Sequence, residues 1–194
     1  AIAAKQVVIV PTLRDDENDT KVLEYANGLV TKLKKLSWQD EPVRVHLDKR
    51  DRPAPDKKWD WLKKGAPLLV EIGPRDVEGG KVALRIRTDM EGKPQFIAAD
   101  EFVGQVPDLL SQIQKTLYDQ ADAYRKQFTR TDIKDIDEKK KYFEGKNEFL
   151  DKGKGIGFVR APWSGDVDAT EAILKDLAVT IRVLPQDQSK SLGP

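Results

Sequence analysis

Between Gly65 and Arg87 the chain reads GAPLLVEIGPRDVEGGKVALRIR. Pro67 to Ile72 is an apolar strand pattern ended by Gly73-Pro74. Lys81 to Thr88 alternates: Val82, Leu84 and Ile86 face one way, Lys81, Ala83, Arg85 and Arg87 the other. The connection RDVEGG supplies glycines where a turn needs positive φ. Two strands therefore meet here, and the second offers one apolar and one basic face.

Working upstream, Lys5 to Thr12 (KQVVIVPT) is a continuous apolar run closed by a proline, which suits a strand buried on both faces of a parallel-type sheet. Asp15 to Thr20 is acidic and polar, and Asp19 or Thr20 is placed to cap the helix that follows. Val22, Ala26, Leu29, Leu33 and Leu36 recur at steps of four and three, one apolar stripe on that helix. Pro42 to Leu47 alternates like a half-buried strand. Asp56 to Lys64 reads as a short helix stopped by Gly65. With a further short strand near Phe96 to Ala98, the order is β-α-β-α-β-β, a sheet with helices packed on it and a right-handed crossover.

Downstream, Val106-Pro107 is expected to open a long helix with Pro107 near its first position. Its stripe is Leu110, Ile113, Leu117, Ala121, Tyr124 and Phe128. Thr129 to Ile133 breaks that pattern and marks a subdomain boundary. Ile136, Phe143 and Leu150, with Tyr142 and Phe149 beside them, suggest another helix. Gly155 to Ala161 reads as a strand, Asp168 to Leu177 as a helix and Val179 to Leu184 as a strand, before a polar tail. The expected domains are 1–106, and 107–194 with the connecting helix at its start.

Composition excludes much. Among 194 residues there are 34 Lys or Arg, 33 Asp or Glu, one histidine and no cysteine, for a net charge of +1. Without cysteine there is no disulfide, thiol nucleophile or thiolate metal site, and His46 alone builds no histidine-rich one. No apolar run approaches the ~20 residues of a membrane span. The opening AIAAKQVVIV has no charged n-region or cleavage site, so no signal peptide and a cytoplasmic location are expected. The balanced total hides a local field: residues 42–93 carry 13 basic and 9 acidic groups, net +4. A basic stripe attracts phosphate.

Most chemical constellations have bland readings. Gly153, Gly155 and Gly157 (GKGIG) precede a strand, whereas a dinucleotide fingerprint follows one and opens a helix; a flexible turn is the better account. No Walker pattern occurs. Asp48 and Glu71 sit near the ends of two strands expected to be neighbours, a possible acid–base pair lacking a nucleophile. His46 faces the same way as Arg44 and Asp48 and reads as a hydrogen-bonded, partly exposed histidine. Nothing here builds an enzyme active site. Asp48 to Arg87 is different, for it concentrates Arg, Lys, Asp, Glu and aromatic residues at strand ends and on one sheet face. Such groups read the bases of a single-stranded RNA loop by charge-assisted hydrogen bonds and stacking.

The Gly65–Arg87 run, preceded by DKRD (Asp48 to Asp51) and KQVVIVPT and followed by WSGDVDATEAILKD and TIRVLP, resembles the C-terminal part of the prolyl-tRNA synthetase family. The match is to the type with an extra C-terminal domain, found in archaea, eukaryotes and some bacteria. The Glu-Ile-Gly-Pro-Arg-Asp motif is the specific part, and the class II catalytic motifs are absent. The resemblance implies a class IIa anticodon-binding α/β domain with a mixed five-stranded sheet and surrounding helices, then a small α+β domain. It implies recognition of the proline anticodon stem-loop, with Arg75, Asp76 and Lys93 on family positions expected to touch the anticodon; Arg50, Glu71, Lys81, Arg85 and Arg87, from the charged middle segment, complete the expected RNA-binding set. No cofactor is implied for this portion; ATP and Mg would serve the catalytic domain of a homodimeric parent ligase. The sequence departs from the family at RPAP (Arg52 to Pro55), where the family has Asn-Arg-Pro-Gly. It departs again at two charged anticodon-reading positions, here Leu62 and Leu69. The alternative reading, an interaction module of the same fold that dimerises without reading RNA, fits those two leucines. Positions that are zinc-binding cysteines in some relatives are Ser164 and Thr170, so the C-terminal domain is expected to be metal-free. It would then hold together by packing of Phe143, Phe149, Phe158, Trp163, Ile173 and Ile181. A chelator should leave the melting temperature unchanged; stoichiometric zinc in elemental analysis would refute this.

Overall fold

The computed structural model describes residues 3–14, 17–89, 92–133, 157–160, 165–176 and 179–184. The chain divides into two compact units, Ala1–Asp119 and Gln120–Pro194. In the first, β1 (Val7–Pro11) leads to α1 (Asn18–Leu33), a small hairpin of β2 (Ser37–Trp38) and β3 (Glu41–Pro42), then β4 (Val45–Leu47) and α2 (Ala54–Lys63). There follow β5 (Leu68–Ile72), the short α3 (Pro74–Glu78), β6 (Lys81–Ile86), β7 (Gln95–Ala98) and α4 (Ala99–Gln127). The five-stranded sheet has the order β4-β1-β5-β6-β7. β1 runs parallel to β4 and β5, whereas β5, β6 and β7 pair antiparallel. This is the expected mixed five-stranded sheet.

Alternation assigns each strand residue to a face. On one face Val7, Ile9, Leu68, Val70, Ile72, Val82 and Leu84 meet Val22, Ala26, Leu29 and Leu33 of α1 and Phe102, Val106, Leu110 and Ile113 of α4. On the other, Val8, Val10 and Leu69 form a smaller core with Ala66, Ala54 and Trp61, supplied by α2 and its exit. Because apolar residues of β1 enter both cores, the whole strand is buried, which explains its unbroken run. Gly65 ends α2 in the left-handed region at φ 72°, where a side chain would also meet the Arg87 guanidinium 3.0 Å from its Cβ.

Several expectations need correction. The long helix starts at Ala99, and Pro107 lies inside it. Phe102 and Val106 are fully buried on the core stripe, so packing extends the helix upstream of the proline despite its missing N–H. α1 begins at Asn18 rather than after a cap at Asp19 or Thr20; Asp19 Oδ1 instead accepts from the Arg14 backbone N–H at 2.9 Å. The stretch expected as one strand from Pro42 to Leu47 is split. Pro42 belongs to a hairpin whose turn residues Gln39 and Asp40 have φ 52° and 61°. Asp48 and Glu71 do not close neighbouring strands, since β1 lies between β4 and β5.

In the second unit, β8 (Thr129–Arg130) pairs parallel with β9 (Phe158–Val159), and α5 spans Val167–Asp176. Gly157 precedes β9 at φ 82°, with a Cβ position only 2.0 Å from the Phe128 carbonyl oxygen, so backbone proximity demands glycine there. The expected helix around Ile136, Tyr142, Phe143, Phe149 and Leu150 lies outside the described residues, as do Gly153, Gly155, Trp163 and Ser164 and the side chains of Thr170 and Ile173. Residues 179–184 form no strand; the Val179 N–H bonds to the Leu174 carbonyl. Among the described residues no strand pairs with that stretch, and Ile181 is exposed, as is Phe158, so neither is the packing group expected. Among the described residues no helix is long and apolar enough to cross a membrane.

Depth along α4 falls from Leu110, almost fully buried, to Leu117, half-buried. Leu110→Ala should therefore cost about 2–5 kcal/mol in urea unfolding. Leu117→Ala should cost distinctly less, and equal costs would show that the stripe is buried evenly.

Candidate nucleic-acid interface

The two faces of the sheet are covered unequally. α2 packs across β1 on the second face, its Trp61 reaching β4 and its Lys58 reaching β5. No element of the described residues lies in that position over β6 and β7, so this half of the face is open. Its centre is Glu71 on β5, opposite Ala83 in register. Lys58 Nζ lies 3.2 Å from Glu71 Oε2, and Arg85 Nε donates to Oε1 at 3.2 Å. Arg85 also donates to the Gly92 carbonyl at 3.0 Å, which fixes its guanidinium against the β6–β7 connection. All three side chains are partly exposed, from 21% for Arg85 to 26% for Lys58, enough for an incoming polar ligand to reach them.

Aromatic surface flanks this triad. Phe96 is paired with Ala83, which puts it on the same face as Glu71, and it is 63% exposed on an edge strand. Trp59, next to Lys58 on α2, is 60% exposed with Lys63 Nζ 5.5 Å from its ring centroid. Large rings left in solvent beside charged, partly ordered donors and acceptors are what unstacked bases bind. Sequence reading passed over both. The available signal was the parity of Phe96 with Ala83 and Arg85 across the β6–β7 pair, and that needs the register.

The eight residues singled out from sequence do not form one cluster. Glu71 and Arg85 are in contact. Arg87 lies at the far end of β6, its Nη1 donating to the Gly65 carbonyl at 3.2 Å and so holding the end of α2. Lys93 is exposed just before β7. Arg75, Asp76 and Lys81 gather where β5 ends and β6 begins. Arg75 and Lys81 are exposed there, whereas Asp76 Oδ2 accepts from the Gly73 N–H at 2.8 Å and caps α3. The Lys81 carbonyl accepts from the Tyr25 hydroxyl, which burial and the nearby Asp100 and Asp76 carboxylates keep protonated above its ordinary range. Arg50 sits on the other side of α2, beside β4. Leu69, at a position charged in the family resembled, is buried beneath α2, and Leu62 is half-buried.

Asp48 positions α2. Its side chain has no exposed surface, yet it accepts from Arg50 Nε and Nη2, from the Arg50 backbone N–H and from the Trp61 indole at 2.7 Å. Burial by itself would raise its pKa; the bonds from Arg50 and Trp61 outweigh that and hold it well below the usual carboxylate range. Arg50 in turn reaches Asp60 at 2.9 Å, shared with Arg52 at 3.0 Å. His46 lies on the same face with its ring 4.8 Å from Trp61; burial first, then Lys5, Arg50 and Lys64, lower its pKa against the pull of Asp48. Asp48 and Glu71 are thus separate carboxylates, each with its own cations. Among the described residues no group of His, Asp or Glu could hold a metal ion.

The domain built on this mixed sheet, residues 6–109, matches the family described as Anticodon binding domain. The chain belongs to that family. Among similar proteins, the Proline--tRNA ligase of Protochlamydia amoebophila is 41% identical over 192 residues, covering 99% of this chain and 38% of its own length. That of Paramagnetospirillum magneticum is also 41% identical over 192 residues, covering 99% and 37%. That of Akkermansia muciniphila is 32% identical over 186 residues, covering 95% and 35%. The chain spans less than two-fifths of the length of these relatives.

Because the folded pKa of Asp48 is depressed, its stabilisation is fully present above the unfolded value of about 3.9 and is lost as pH falls through the folded one. Asp48→Ala should cost on the order of 3 kcal/mol at neutral pH, since Arg50 and Trp61 lose a buried partner. Urea midpoints between pH 2 and 7 check both points: the wild-type advantage should shrink in acid, and a pH-independent gap would exclude a role for the ionised carboxylate.

Proposed function

We propose that this chain is the RNA-reading, non-catalytic portion of a proline–tRNA ligase, recognising the anticodon loop of the proline tRNA on the open half of its sheet. The observation that carries this is the Lys58–Glu71–Arg85 triad with the exposed ring of Phe96 on the same sheet face. An extruded guanine carries N1–H and N2–H donors that a carboxylate accepts, and O6 and N7 acceptors that a guanidinium or ammonium donates to. Glu71 and Arg85 offer both kinds of group within one contact distance, and an aromatic ring supplies the stacking surface. Before RNA arrives, the two cations neutralise Glu71 and hold it in place. A base then inserts into an ordered polar site instead of having to assemble one.

Around this centre, Lys93, Lys81 and Arg75 are exposed cations suited to the phosphates of the loop, which position the RNA without reading it. Asp76 keeps α3 in place, and Arg87 keeps the end of α2 in place; their contribution is support. The relatives named above are ligases of proline to tRNA, and the activity, ATP and Mg use and homodimeric state assigned to the whole parent belong to this same proposal.

The test is a titration of the chain against a proline anticodon stem-loop and one with a scrambled loop. Phe96→Ala should lose roughly 1–3 kcal/mol of binding through stacking. Glu71→Gln should narrow the gap between matched and scrambled loops, and Arg75→Ala should weaken both about equally. If wild type binds the two loops with the same affinity, the reading function is wrong.

A further inference from the structure

On the side of α2 turned away from Glu71 lies an open cleft of about 610 Å³, lined by His46, Lys49, Arg50, Trp61 and Lys64 around the buried Asp48. The platform for bases does not use it. Its acids are already matched: Asp48 and Asp60 are held by Arg50 and Arg52. Lys49 and Lys64 are left over, with no carboxylate within ion-pair distance among the described residues. Lys64 Nζ stands 4.6 Å from the centroid of the Trp61 ring. Burial first, then Lys5, Arg50 and Lys64, lower the His46 pKa against the pull of Asp48.

Arg50 differs from an ordinary surface arginine. Asp48 and Asp60 fix its guanidinium from two directions, through Nε, one Nη1 proton and one Nη2 proton. One N–H on each terminal nitrogen remains, on a group 39% exposed. A preorganised fork with free donors, flanked by two unpaired ammonium groups, suits an oxyanion with several equivalent oxygens. The His46 ring and Lys64 Nζ both stand against the Trp61 ring, which sets charge beside the apolar part of the lining.

We propose that this cleft is a second RNA contact, a phosphate-backbone site in which Lys49, Arg50 and Lys64 hold phosphodiester groups of the strand passing over α2 from the base-reading face. The proposal rests on the RNA reading put forward above. A helix is about 10 Å across, a distance a short length of single strand covers. The domain would thus grip RNA on both sides of α2, reading bases on one and fixing the backbone on the other.

The test compares the chain, its Lys49→Ala/Lys64→Ala variant and a Lys34→Ala/Lys35→Ala control with the same charge loss just past the end of α1. Anisotropy titrations of matched and scrambled stem-loops are run across a salt series, and the Trp61 indole N–H is followed by NMR. Loss of two phosphate contacts should flatten the plot of log K against log salt by roughly 1.4 for single-stranded contacts. That loss should be confined to Lys49→Ala/Lys64→Ala, with the ratio of matched to scrambled affinity unchanged, and RNA should shift the Trp61 signal. An unchanged slope, or an equal loss in the control, overturns the site while leaving base reading intact. So does a Trp61 signal that responds to inorganic phosphate or to polyglutamate but not to RNA. Failure of wild type to tell the two loops apart removes the reading function and this site with it.

Discussion

One buried carboxylate sets the geometry of the site. Asp48 follows edge strand β4, has no solvent contact, and accepts from both the guanidinium of Arg50 and the indole of Trp61. An unpaired charge there would be prohibitive, so the three groups stand or fall together. Trp61 belongs to α2, and the bond therefore fixes that helix over β1 and β4. The difference between the two sides of α2 follows from this placement: Lys58 along the open sheet, Asp60 and Lys64 along the β4 cleft.

The mixed strand directions explain why one half of a face stays open. Parallel neighbours β4, β1 and β5 are joined by crossovers, and each crossover helix covers the sheet it returns to. The antiparallel turns from β5 to β6 and from β6 to β7 need only short connections, so they bring no comparable helix to that face. The large apolar residues of β6, Val82, Leu84 and Ile86, point to the other side, into the core shared with α1 and α4. What is left facing solvent is Glu71, Arg85 and Phe96, a polar and aromatic floor on a rigid sheet. A helix that covers half a sheet thus makes both the wall and the floor of a binding surface.

Charge is organised by the same frame. Residues 42–93 have four more basic than acidic groups, and four of their nine acids are held in specific contacts. Asp48 and Asp60 bind Arg50 and Arg52, Glu71 binds Lys58 and Arg85, and Asp76 caps α3. Lys49, Lys64, Arg75, Lys81 and Lys93 stand exposed at the rims. Rim cations of this kind attract a polyanion from a distance, while the paired groups keep fixed directions for close contact.

Much of the fold was written in local pattern. The apolar run Val7 to Val10, the stripe Val22-Ala26-Leu29-Leu33 and the alternation Val82-Leu84-Ile86 each express a burial requirement that neighbouring residues alone impose. Each was matched by an element of the right kind. The motif from Gly65 to Arg87 and the local basic excess likewise pointed to RNA before any geometry was known. What sequence could not decide was adjacency. That β1 separates β4 from β5 parts Asp48 from Glu71. Buried Phe102 and Val106 pull the start of α4 upstream of Pro107, and the register of β6 with β7 turns Phe96 onto the face of Glu71. These are long-range pairings, and no periodicity along the chain encodes which strand lies beside which. Residue type and spacing determined the elements and the class of ligand; only the packed sheet decided which side chains share a surface, because that depends on contacts between residues far apart in the chain.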